Sequence, residues 1–526
     1  MNDPTVHEPE AAAAGQQFRS QVGHISRQSG AFFAGAIFTA AVGYVFKVYL
    51  ARVLGAEALG IYALGMTVVG LMGVFGGLGL GWAASRFPAA YCGTGRMEEL
   101  RSFLAWSVLS LVCVNGVLAF CMVAARRWIA SRFYHTPVLA GYLRLFALIM
   151  ILGALTGFYS QLLTGYKQVA RRTVINNVVG GLLTVAFTVA LVEMGTGLWG
   201  YIFAQVASAL VVLAILVWAA HRLTPRAARF WLQPVQPPPR EMFSFASAAF
   251  AMDIVGFLYS QMDKIVLGFY LNVRSVGIYA VASAIVVFLP LVLQSVNQIF
   301  SPTIADLHAR GDSQMLNRLF QILTKWILGL TVPLAALVII FSKVLMRIFG
   351  HDFEAGWVIL VIGAAGQLVN CAVGSVGFLL LMSGNEKRLV RIQLVMAAIT
   401  ISSLLLLVPW WGIAGAAAAA ALGNVGTNMW CLYEVKRLLG LFPYNRSYSR
   451  LLLPSAAAVA AAVGLRIALR SISSDVVVVL MAGTAIYFVF LGVVLVIGLE
   501  ADDKLIGAAI WSRVRRLFPG SAVGMA

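Results

Sequence analysis

Apolar residues in this chain come in runs of about twenty, and the runs recur from one end to the other with short polar stretches between them. Runs of that length predict helices that cross a bilayer, because hydrocarbon forces every backbone N–H and C=O to pair within its own segment. The pattern predicts fourteen spans, at roughly 30–50, 58–82, 103–124, 139–163, 174–194, 198–219, 243–268, 276–300, 319–341, 356–382, 392–411, 413–433, 451–469 and 475–498. The expected fold class is an all-α polytopic membrane protein. Residues 1–28 are polar and alanine-rich, and are expected to be disordered up to a short amphipathic piece around Phe18 to Ser26.

Within this pattern the chain repeats itself. Aligned without gaps, Lys47 meets Lys264, Leu50 meets Leu267, Leu54 meets Leu271, and Gly60-Ile61-Tyr62-Ala63 meets Gly277-Ile278-Tyr279-Ala280, always 217 residues apart. Arg101-Ser102-Phe103 returns as Arg318-Leu319-Phe320 at the same offset. Gly165 and Arg172 return as Gly384 and Arg391 at 219, and Gly197-Leu198-Trp199-Gly200 as Gly412-Ile413-Ala414-Gly415 at 215. Six spans separate the copies, so both have the same orientation, and two parallel lobes related by a pseudo-two-fold axis along the membrane normal are expected. The lobes are 29–220 (spans 1–6) and 241–440 (spans 7–12), joined by a cytoplasmic linker at 221–240 that contains Pro237-Pro238-Pro239. Spans 13 and 14 (441–500) fall outside the duplication, and 501–526 form a cytoplasmic tail.

Composition narrows the field. The 526 residues are 61% hydrophobic and only 11% charged, far below the roughly 25% of soluble domains, so no large soluble domain fits. A net charge of +18 could suggest nucleic acid, but the basic residues cluster in alternate loops, which makes them a topology signal. About 25 of the 38 Lys and Arg lie on one side, placing both termini in the cytoplasm of a cytoplasmic (inner) membrane. Asp3, Glu8 and Glu10 with no apolar core argue against a cleaved signal peptide. The five cysteines have no paired spacing and read as small hydrophobes. The six histidines lack metal-site spacing, and there is no phosphate-binding GxxxxGK[ST] loop, so neither metal, cofactor nor enzymatic activity is expected. Gly77-Leu78-Gly79-Leu80-Gly81 follows no strand and reads as close helix packing or a kink.

The chemistry lies in charges within spans, where a charged residue at the centre costs about 2.5–3.5 kcal/mol on insertion scales and therefore faces a cavity or a partner. On span 7, Asp253, Ser260 and Lys264 fall on one helical stripe, at about 100° per residue, while Asp263 points elsewhere. Lys47 and Lys264 occupy matching places in the two copies, near the outward ends of spans 1 and 7. The choice there is between lining a cavity and snorkelling to the interface. Arg144 and Lys325, nearer span ends, read as snorkelling. Asn297 and Gln298, with Gln261, Gln367 and Asn370, either line the same cavity or hold helices together.

The segments ARVLGAEALGIYALG (51–65) and QMDKIVLGFYLNVRSVGIYAVA (261–282), set in a duplicated six-plus-six frame with two extra spans, resemble the polysaccharide-transport branch of the MOP exporter superfamily, the Wzx-type oligosaccharide and O-antigen flippases. The resemblance implies transfer of a polyprenyl-diphosphate-linked oligosaccharide across the bacterial cytoplasmic membrane by alternating access, for surface polysaccharide or lipopolysaccharide biosynthesis. It also implies a cationic cavity and coupling to H+ or Na+. Substrate contact then falls to Lys47, Lys264, Ser260, Asn297 and Gln298, and ion coupling to Asp253 and Asp263. The partners implied are the lipid-linked oligosaccharide, membrane lipid and glycan polymerase or assembly proteins, with no nucleic acid. A lipid II flippase, a drug/cation antiporter of the same superfamily and a non-transporting scaffold for glycan assembly stay open as alternatives.

Overall fold

Helix accounts for nearly every described residue, and no strand occurs among them. The computed structural model describes residues 7–228, 240–472 and 474–498, with side-chain surroundings from Val42 onward. Linker residues 229–239, with Pro237-Pro238-Pro239, and the tail 501–526 lie outside the described residues. The first helix starts at His7 and takes in most of the segment expected to be disordered; its Glu, Gln and Ala residues are strong helix formers.

Among the described residues, ten stretches are long and apolar enough to cross a membrane. They become eleven when Val273–Val286 and Leu291–Gln298, bent by 53°, are taken together. Three of them contain glycines with non-helical backbone: Gly55, Gly195 with Gly197, and Gly412. Two of these are hairpins. Gly180 abuts Val212 and Gly200 abuts Leu191, while Gly423 abuts Thr400 and Gly426 abuts Met396. Divided at their glycines, the stretches accommodate fourteen spans. Leu406, Phe488 and Val496 are 67%, 72% and 88% exposed, an outer surface suited to lipid and not to water.

The helices gather into two compact units, Leu50–Ala280 and Met1–Tyr49 with Val281–Ala526. Neither unit ends at the linker. The helix Arg240–Tyr270, the seventh span, packs with the first half of the chain, and the start of the first span groups with the second half. In the Leu50–Ala280 unit the core is built around Phe87, Phe103, Phe158 and Leu162, joined by Met242 and Ala246 of the seventh span. The other unit has one core around Phe300, Phe320 and Val376, and another in which Ala458, Ala482 and Phe490 of the last two spans pack on Leu337 and Phe341.

The repeat is visible as a contact. A Cβ on Gly60 would overlap the carbonyl oxygen of Val273, and a Cβ on Gly277 would overlap that of Ala56. Since 56 + 217 = 273 and 60 + 217 = 277, these are one contact seen from both partners, as around a two-fold axis. Glycine is required here because only a bare Cα lets the two backbones approach so closely.

The second span is broken. Helix His7–Gly77 ends, Leu78 and Gly79 take left-handed φ of 51° and 67°, and a new helix runs Leu80–Thr94. A break inside hydrocarbon frees carbonyls that protein must satisfy. Asn115, buried on the Met97–Ala124 helix, donates through Nδ2 to Gly76 O at 2.9 Å. On the other side the break presses on the seventh span, since a Cβ at Gly79 would overlap Ala246 O.

Candidate functional site

The broken second span and the seventh span, with three helices beside them, line a cavity of about 310 Å3 within the Leu50–Ala280 unit. Its polar wall is Trp82, Ser160, Gln161, Arg172 and Asp253. Asp253, half-buried, accepts the indole N–H of Trp82 at 3.0 Å, which ties the seventh span to the helix that restarts after the break. Arg172 sits two residues before a wide π-helical turn, Val174–Val179. Its Nε donates to Ser160 Oγ and its Nη1 to Thr164 Oγ1, both at 3.0 Å. The extra residue of the π turn lets Asn176 reach the same hydroxyl, at 2.6 Å. The guanidinium is thus held by hydroxyls, and no carboxylate pairs with it among the described residues.

The residues singled out in the sequence are divided between the units. Asp253, Ser260, Asp263 and Lys264 lie in Leu50–Ala280, whereas Lys47, Asn297 and Gln298 lie in the other. Of the seven, Asp253 alone lines the polar cavity. Lys264 is half-buried and donates through Nζ to Gln261 Oε1 at 2.7 Å. Asp263 accepts the backbone N–H of Lys264 and bonds the hydroxyl of Tyr279. The duplicated tyrosine is used differently in the first copy, where Tyr62 accepts from Gln205 Nε2 at 2.9 Å. Ser260 is exposed and turns its hydroxyl to Phe257 O. Lys47 and Gln298 are exposed, and Asn297 is buried against Ser375.

Two cations depart from the sequence reading. Arg172, beside a span end and next to Arg171, looks in sequence like one more loop cation, yet it lines the cavity. Lys325 is covered by protein. It is 6% exposed and donates to Ser447 Oγ at 3.1 Å, because the Ser313–Ile340 helix is enclosed by the last two spans. Among the described residues no cluster of His, Cys, Asp and Glu could hold a metal ion, and all five cysteines are free.

A second cavity, of about 900 Å3, lies in the other unit and is almost wholly apolar. It is lined by Tyr44 and Val48 of the first span, Phe288 and Leu289 at the bend of the eighth, Leu334 of the ninth and Val479 of the last.

Spans broken at glycines, with one polar cavity and one apolar one, make up a fold that solved structures share. The chain superposes on the lipid II flippase MurJ in its inward closed conformation with a TM-score of 0.66 at 14% identity, over 87% of this chain and 98% of that one. On a multidrug resistance MATE family transporter in its inward-facing conformation the TM-score is 0.61 at 14% identity, over 76% and 94%. It is a multi-pass membrane protein with the fold of the MOP superfamily. Residues 26–308, more than half of the chain, match the polysaccharide biosynthesis protein family (Polysacc_synt), and the chain belongs to that family. Two curated relatives come from Haloferax volcanii. One, "Probable low-salt glycan biosynthesis flippase Agl15", is 23% identical over 44% of this chain and 48% of its own length. The other, "Probable flippase AglR", is 25% identical over 46% and 50%. The chain thus spans about half the length of the curated relatives it matches.

Proposed function

We propose that this protein is a flippase that carries a polyprenyl-diphosphate-linked oligosaccharide across the cytoplasmic membrane by alternating access, supplying surface polysaccharide biosynthesis. The observation that carries the reading is the charged cavity at the broken second span, in a chain whose family is that of polysaccharide biosynthesis proteins and one of whose relatives is named a probable glycan biosynthesis flippase. Amphipathic cargo of this kind needs both a polar place for sugars and an apolar one for an isoprenoid chain, and the cavities of about 310 and 900 Å3 differ in that sense.

In this reading Lys47 and Lys264 meet the diphosphate as point charges, with Ser260, Asn297 and Gln298 as further polar contacts. Asp253 and Asp263 carry the coupling ion, H+ or Na+, or balance the cationic charge. No bond is made or broken in the cargo, so no catalytic residue is assigned. The excess of Lys and Arg in alternate loops supports cytoplasmic termini. The test is the leaflet in which lipid-linked oligosaccharide accumulates in cells. Lys47→Gln and Lys264→Gln are expected to trap it on the inner leaflet with expression unchanged, because removing a membrane charge does not impair insertion. Full transport by the double variant would leave the pair with no role beyond snorkelling.

A further inference from the structure

The glycines at and beside the polar cavity separate into two kinds. Gly79, at the break, is a packing glycine, overlapped by the seventh span as soon as it gains a Cβ. Gly77, Gly153 and Gly157 line the cavity itself, and a Cβ on any of them meets nothing within 4 Å. Gly153 and Gly157 are four residues apart, on one face of the Leu139–Gly165 helix. A glycine inside a helix weakens it relative to alanine, and here no neighbour requires the loss. These glycines leave room.

Facing that room is an aromatic plate. Trp82 is 50% exposed, and its only polar side-chain atom is committed to Asp253, which fixes the ring while leaving half of the residue uncovered. Beside it stand the amide of Gln161 and the guanidinium of Arg172, whose Nη2 is unclaimed after Ser160 and Thr164 have taken Nε and Nη1. Asp253 keeps its second carboxylate oxygen. The space is far larger than a cation's shell, so an ion held at Asp253 leaves most of it for a larger guest. At about 310 Å3 the cavity is at the lower end of small-molecule sites, which run from about 300 to 1,000 Å3.

We infer that this cavity is a saccharide subsite. One apolar face of a pyranose ring lies on Trp82, its acceptor oxygens meet Arg172 and Gln161, and its hydroxyls donate to Asp253. The inference rests on the flippase reading and adds to it the part of the cargo that the Leu50–Ala280 unit recognises. It separates recognition of sugar, at Trp82 and Arg172, from recognition of diphosphate, at Lys47 and Lys264.

The experiment measures binding of two fluorescent probes to the purified full-length chain in nanodiscs. One is a polyprenyl diphosphate bearing a single hexose; the other is the same lipid as the bare diphosphate. The informative variant is Gly157→Leu, which fills open space in a helix with a good helix former and so should fold at least as well as the parent. Trp82→Ala and Arg172→Gln accompany it. Each is expected to weaken the glycosylated probe by about tenfold or more, because a site arranged for hydrogen bonds rejects what cannot reach them, and to change the bare probe by less than about twofold. Lys47→Gln should weaken both probes alike. Equal loss for both probes in the Gly157→Leu variant, or loss for neither, overturns the subsite and leaves the transport reading standing. Failure of the unmodified chain to bind either probe overturns both.

Discussion

The second and eighth spans are copies of one ancestral helix, and both are broken, but by different means and with different results. In the second span the break at Leu78–Gly79 depends on its surroundings: Asn115 satisfies Gly76 O, and the seventh span presses on Gly79. In the eighth the chain bends by 53° across Val287–Pro290, where proline itself cannot continue the backbone ladder. The first break opens on a polar cavity with Trp82, Arg172 and Asp253, the second on an apolar one with Phe288 and Leu289. At the offset of 219 that pairs Arg172 with Arg391, Ser160 and Gln161 fall on Leu379 and Leu380, both fully buried. The two cavities are lined by residues that the repeat does not pair, so the duplicated frame carries its polar and apolar space at different places.

This contrast can be broken most severely at Gly79. A Gly79→Val substitution imposes a left-handed conformation costing about 1–2 kcal/mol and overpacks Ala246 for about 1–3 kcal/mol more. Its thermal unfolding in detergent should therefore show a loss of roughly 3 kcal/mol, or no folded protein at all. Pro290→Ala in the other copy should cost less, about 1 kcal/mol, because it removes a few buried atoms and a fixed φ without forcing any backbone overlap. Losses of equal size would erase the distinction between the two breaks.

Asn115→Ala comes next. It strips the donor from Gly76 O, but Asn115 Oδ1 is itself buried without a partner, so the net loss should be about 1 kcal/mol. An unchanged unfolding midpoint would mean that something other than Asn115 supports the break. The smallest stability change is expected from Asp253→Asn, within about 0.5 kcal/mol, because an amide oxygen still accepts the Trp82 N–H. What should change is the dependence of transport on pH or sodium. An unaltered profile removes Asp253 from ion coupling.

Much of this was legible along the chain. Gly60 and Gly277 could be paired because close helix crossing tolerates no side chain, and that demand recurs in each copy. Asp253 could be singled out because a charge near mid-span is costly unless it faces something. The glycine run 77–81 signalled a kink. Arg172 was not legible, since an arginine at a span end looks the same whether it faces cytoplasm or folds back onto Ser160 and Thr164. The burial of Lys325 was hidden for the same reason: periodicity says how far a residue lies along its helix, not which helices enclose it. Nor does an apolar pattern reveal that the seventh span packs with the first half of the chain, because one membrane helix is as apolar as another.

The central claim is movement of glycosylated lipid between leaflets. Its most direct measurement uses purified protein in liposomes that contain a fluorescent polyprenyl-diphosphate oligosaccharide, with an impermeant reagent reporting the outer leaflet. Transfer should exceed that of protein-free liposomes and fall toward that baseline in the Lys47→Gln, Lys264→Gln double variant. Transfer by the unmodified chain no faster than the protein-free baseline would contradict the account.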